Sequence, residues 1–135
     1  MATIDVAPKI LNDVILSFGV DDFAAACSSA TLTPSASNVV WKGLKPSAVF
    51  TFPTSPTWTL DLEYAQDWAD EDSLSRYLFD HQGETIAATL TPNSGDTAWG
   101  LNIVITPGAV GGAVDTVAVA TVSLGVSGQP VPTDV

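Results

Sequence analysis

From Thr57 to Tyr64 the chain alternates without exception: Trp58, Leu60, Leu62 and Tyr64 are apolar or aromatic, and Thr57, Thr59, Asp61 and Glu63 between them are polar. Successive side chains of a strand point to opposite faces, so this spacing predicts a β-strand with one dry and one wet face. Weaker versions recur along the sequence. Val14, Leu16, Phe18 and Val20 form one set, and Ala30 and Leu32 lie between Ser29, Thr31 and Thr33. Ile86, Ala88 and Leu90 alternate with Thr85, Thr89 and Thr91; Leu101, Ile103 and Ile105 with Asn102 and Thr106; Ala118, Ala120, Val122 and Leu124 with Thr121 and Ser123. Thr and Val dominate these stretches, as half-buried pleated positions favour.

One segment departs from period two. Leu74, Tyr77 and Leu78 fall at i, i+3 and i+4, the spacing of a helical face, and predict a single helix over 73–82. Asp70 or Asp72 is the expected N-cap, Gly83 the stop, and His81 lies in the last turn. Proline and glycine clusters at 34–38, 53–56, 92–96 and 107–112 mark turns. The order predicts a mainly β chain, a sandwich or small barrel with one short α-helix packed on it. Residues 1–126 read as one domain with a long irregular loop at 41–56, and 127–135 as an extended tail.

Composition narrows the function. The 135 residues hold fifteen Asp and Glu against four Lys and Arg, a formal charge of −11. Gripping nucleic acid relies on Lys and Arg displacing counterions from phosphates, and a polybasic membrane contact needs the same residues, so both roles are disfavoured. With 46% hydrophobic and only 14% charged residues, some apolar surface is expected to lie against other subunits. The first ten residues include Asp5 and lack the basic start and apolar run of a signal peptide, and no apolar stretch approaches membrane-spanning length. A soluble, cytosol-made chain without membrane insertion is expected.

The catalytic inventory is thin. His81 is the only histidine and reads as a solvated helix-end residue; Cys27 is the only cysteine and reads as a small buried side chain, which excludes an internal disulfide and a Cys-rich zinc site. Asp67, Asp70, Glu71 and Asp72 lack the glycine and distal glutamate of a calcium loop. Asp61 and Glu63 project to one side of a strand, without the setting of a glycosidase pair. Gly108, Gly111 and Gly112 precede no helix and cradle no phosphate. Trp58 belongs to a dry strand face, whereas Trp41, Trp68 and Trp99 lie near segment ends, where interface anchors are common. No catalytic, cofactor or metal site is expected.

The strand TWTLDLEYAQDW, the short helix SLSRYLFDHQG, the following strand ETIAATLTP and the last strand VATVSLGVSGQPVP give the C-terminal half a resemblance. In order, spacing and flavour it resembles the tail tube (major tail) proteins of long-tailed bacteriophages, relatives of type VI secretion and pyocin tube subunits. That resemblance implies two packed antiparallel sheets with one helix. It also implies rings of six copies stacked into a hollow tube alongside other tail proteins, with DNA passing through unbound, no catalysis and no cofactor. The product would belong to the virion's tail, made in the host cytoplasm. The 41–56 stretch would be the ring-stacking loop, using Trp41, Lys42, Leu44, Lys45, Phe50 and Phe52. Thr57, Thr59, Asp61 and Glu63 are the lumen-facing candidates, since inward acids would repel the phosphates of a sliding polymer. Two other roles fit the residues: a head decoration or minor virion protein, and a carbohydrate-binding β-sandwich module.

Overall fold

A computed structural model describes residues 2–93 and 95–133. Ten strands and one helix follow in order: β1 (Ile15–Phe18), β2 (Asp21–Asp22), β3 (Cys27–Ser35), β4 (Asn38–Lys42), β5 (Val49–Pro53), β6 (Thr57–Ala65), α1 (Leu74–Asp80), β7 (Thr85–Thr91), β8 (Ala98–Val104), β9 (Val119–Val126) and β10 (Val131–Thr133). A single turn of 3-10 helix at Ala24–Ala26 leads into β3. The helix is short, and no helix among the described residues is long and apolar enough to cross a membrane.

All strand pairings are antiparallel, in the order β2-β1-β7-β8-β9-β6-β3, with β10 also on β8. The join between the halves is narrow. β8 meets β9 only through Ile103 and Val104 opposite Val126 and Gly125, and its other end pairs with β10 through Gly100, Trp99 and Ala98. The sheet therefore folds at β8–β9 into two layers. Leu60, Leu62, Tyr64, Ala120 and Leu124 come from one layer, and Leu16, Phe18, Ala88, Leu90, Leu101 and Ile103 from the other; together they make the buried core. Leu74 and Leu78 of α1 close one end, and Phe18, Phe23 and Tyr77 pack their rings within 6 Å of one another there.

β6 has the buried face its alternation predicts, and the helix has the predicted apolar contacts. Four details differ from expectation. Ser73, not Asp70 or Asp72, caps α1, its Oγ accepting from the Arg76 amide; Asp70 instead accepts from the Asp72 amide in the preceding turn. Val20 does not continue the β1 set: Gly19 takes a positive φ of 67° and turns the chain, leaving Val20 exposed. In the tail, residues 127–133 are mostly exposed, yet Val131–Thr133 form β10 and pair with β8, where β9 has left the edge free. Ser94 of the 92–96 turn and the last two tail residues lie outside the described set.

The fourth concerns residues 41–56. They are not an irregular loop. β4 and β5 form a separate two-stranded sheet in the register Val39 to Phe52 and Trp41 to Phe50, with a turn at 43–48. The pattern concealed this because apolar residues fall on both faces of the hairpin, so no period-two signal forms.

Candidate functional site

The fold separates its surfaces along the strand axis. β3 ends and β6 begins at the end that carries the β4–β5 hairpin; α1 and the 106–118 loop follow from the opposite ends of β6 and β8. Between these ends lies the outward face of β3, β6 and β9.

On that face the wet residues of β6 align with hydroxyls from both neighbours. Thr31, Asp61 and Ser123 form one row, and Ser29, Glu63 and Thr121 the next; Thr33 stands beside Thr59, and Ser35 beside Thr57. Ser123 Oγ donates to Asp61 Oδ1 at 2.5 Å, and Thr33 Oγ1 to Asp61 Oδ2 at 3.2 Å, so a hydroxyl from each neighbouring strand engages one carboxylate oxygen. Ser29, Asp61, Glu63, Thr121 and Ser123 line a shallow depression of about 280 Å³. None of the three strands contains a lysine or arginine. The four residues singled out from the sequence share this face, with Thr57 and Glu63 exposed and Thr59 and Asp61 half-buried. Alternation in each strand revealed the polar sets, but not their lateral alignment, which depends on long-range pairing.

The hairpin is the second surface. Every residue of β4 and β5 is exposed. Alternation along the paired strands places Val39, Trp41, Phe50 and Phe52 on one face. The Trp41 and Phe50 rings lie 5.8 Å apart, yet Trp41 remains 59%, Phe50 51% and Phe52 56% exposed. Lys42 ends β4, and Leu44 and Lys45 lie in the turn. An isolated two-stranded hairpin is marginal in water, and its own chain leaves about half of each of Trp41, Phe50 and Phe52 uncovered. Val39, Val40 and Val49 join the apolar set and were not among the expected residues.

The helix end is the third surface, and no local pattern foretells its construction. Gln66 is its hub. Its Nε2 donates to the carbonyls of Gly111 (2.8 Å) and Val119 (2.9 Å), while its Oε1 accepts from the Gly111 amide (2.9 Å) and Trp68 Nε1 (3.1 Å). One amide thus fixes both the 106–118 loop and the Trp68 indole. Trp68 meets Phe79 edge-on at 6.4 Å, and with Arg76 and Val110 they line a cleft of about 280 Å³. Arg76 Nη1 donates to the Trp68 carbonyl at 3.3 Å.

The residues with catalytic potential are used structurally. His81 stacks on Tyr77 at 4.2 Å and its Nδ1 bonds the Tyr77 carbonyl. Burial, aided by Asp22, pushes the half-buried Cys27 thiol up to about 11, far from a reactive thiolate. Asp67 Oδ1 accepts from the amides of Ala69 and Asp70, and no cluster of three or more metal-ligating side chains occurs among the described residues. Trp58 is only half-buried. It lines an apolar groove with Leu11, Leu32, Leu90, Pro92 and Trp99, which places Trp99 there as well.

No family model matches the sequence, and no curated protein matches it. Solved structures do match. A chain in the virion of a native gene transfer agent particle superposes with a TM-score of 0.66 at 16% identity, over 90% of this chain and 95% of that one. A chain of the sheath–tube complex of an extracellular contractile injection system (PVC), in its extended state, gives 0.66 at 14% identity over 95% and 93%. A chain in the tail of an empty gene transfer agent particle, with C6 symmetry, gives 0.63 at 14% over 90% and 96%. The chain shares the fold of these chains, and in it that fold is two antiparallel layers with one helix.

Proposed function

We propose that this chain is the structural subunit of a phage-type tail tube. Six copies close into a ring, rings stack with other tail proteins at the ends, and the resulting conduit carries DNA during ejection. The chain works in the virion and is made in the host cytoplasm. It performs no catalysis and needs no cofactor.

The observation that carries this reading is the coreless hairpin on a tail-type sandwich. Trp41, Leu44, Phe50 and Phe52 are left in water by their own chain, and contiguous exposed apolar surface of this kind marks an interaction site. Stacking between rings would cover it. The likeness to a tail of C6 symmetry supports six copies per ring. Free edges on β3 and β10 support ring closure, because unpaired strand edges add partners readily.

The hydroxyl face suits a lumen wall. Short Ser and Thr side chains hold water and present little to snag, and Asp61 and Glu63 are its only charges on β3, β6 and β9. Net repulsion of phosphates lets a polymer slide past.

Electron microscopy of the purified chain tests the reading. Hollow rods or six-membered rings are expected. Replacing residues 38–53 with a short Gly-Ser linker should leave a folded protein that forms no rods; rods of normal length from that variant would overturn the stacking role.

A further inference from the structure

The two ends of the molecule carry opposite charge. Residues 36–56, which contain the whole hairpin, hold Lys42 and Lys45 and no acid. Residues 66–84, which contain the helix, hold Asp67, Asp70, Glu71, Asp72, Asp80 and Glu84 against Arg76 alone. Asp115 of the 106–118 loop adds to the acidic end. In a chain with four basic residues, placing two of them in the stretch between Asp22 and Asp61, which holds no carboxylate, gives that stretch a net sign opposite to the rest.

Exposed aromatic surface follows the same division. The hairpin offers Trp41, Phe50 and Phe52, while the helix end offers the Trp68–Phe79 cleft with Val110 at its rim, Phe79 being 53% exposed. The cleft is preset: Gln66 and Arg76 tie down Trp68 from two sides, so it need not be ordered on binding. Each end thus has aromatic surface ringed by charge, and the signs are complementary.

We infer that the helix end of one copy is the seat for the β4–β5 hairpin of the next, so that copies join head to tail. This rests on the stacking role proposed above and names its receiving site. Phe50 and Phe52 enter the Trp68–Phe79 cleft, and Lys42 and Lys45 lie over the Asp70–Asp72 acids. The Arg76 guanidinium stays against the Trp68 carbonyl, below the entering rings.

Reciprocal charge reversal tests this. Lys42, Lys45, Glu71 and Asp72 are all exposed, so K42E/K45E and E71K/D72K should fold with unchanged thermal midpoints. Either variant alone should raise the concentration needed for rods by about tenfold or more, because each weak surface pair is repeated around a ring. Mixed in equal amounts, the two should assemble again, since each hairpin then meets an end of opposite sign. Should reversal disturb the fold, the neutral pair E71Q/D72Q reads the same effect at smaller size.

Normal rods from E71K/D72K, or a mixture that stays unassembled while the hairpin deletion still blocks rods, would overturn this seat and leave stacking intact. Rods from the hairpin deletion would overturn both.

Discussion

Gly108 shows how one atom can be decided by its neighbour. A Cβ built there would stand 1.9 Å from Tyr64 Oη, a distance no real contact shows. Tyr64 is fully buried, and among the described residues its hydroxyl has no hydrogen-bond partner. Gly108→Ala should therefore destabilise the fold by about 1–3 kcal/mol through overpacking. Tyr64→Phe should cost little, because it removes an unsatisfied buried polar group, and it should rescue most of the Gly108→Ala defect. Urea denaturation of the two single variants and the double variant checks this; additive effects would show that the hydroxyl is not the obstacle. Cys27 gives a pH signature. Its thiol is raised from 9.0 to about 11, by burial first and Asp22 second, and burial raises Tyr64 and Tyr77 in the same direction. A group with a raised folded pKa contributes fully below its unfolded pKa and loses that contribution as pH climbs through the folded value. Stability should hold level between about pH 6 and 8 and decline above about 9, less steeply in Cys27→Ala. Chemical denaturation across that range is the measurement. Residue-scale features were the least legible in the sequence. Ser73 lies one position after an Asp-Glu-Asp run that looks like the better cap, and nothing in the spacing of Tyr64 and Gly108 foretells that they touch.

Elements were legible where the chain itself covers one face. β6 sits between core and water, so Leu60, Leu62 and Tyr64 separate cleanly from Thr59, Asp61 and Glu63. The helix is visible for the same reason through Leu74 and Leu78. The β4–β5 hairpin was not, because the chain buries neither of its faces, and beside the aromatic face the other still carries Val40 and Val49. Its very illegibility as a strand pair goes with its exposure. β10 was hidden differently: pairing with β8 depends on β9 leaving that edge, a long-range fact with no local trace. Gln66 joins elements distant in sequence with four hydrogen bonds. Gln66→Ala should cost about 1–3 kcal/mol and speed amide exchange in the 106–118 loop, with β1 and β7 unaffected. Uniform exchange across the molecule would mean that the loop is held by something else.

At the scale of the molecule, acidity and exposed apolar surface pull in different directions. A formal charge of −11 makes copies repel one another, while the exposed aromatics of the hairpin are apolar surface that association would cover. Added salt acts on both. Raising ionic strength from about 0.1 to 1 M shortens the screening length from about 10 to 3 Å, relieving general repulsion but also loosening any lysine–carboxylate contact between copies. If the hairpin meets the helix end, turbidity or sedimentation should show assembly weakening at high salt in the wild type and gaining in K42A/K45A. A parallel response in both would mean that the lysines take no part. Fold class was the most legible feature at this scale, since it follows from summed patterns, whereas the lateral rows around Asp61 require the pairing itself. The opposite signs of the hairpin and the helix end carry one further consequence. If copies join hairpin to helix end as proposed, a column built from such a subunit is a vector. One terminus would then show bare lysine-bearing rings of aromatics and the other bare acidic cups, so whatever starts growth and whatever stops it would have to be chemically unlike, and neither could be mistaken for the other.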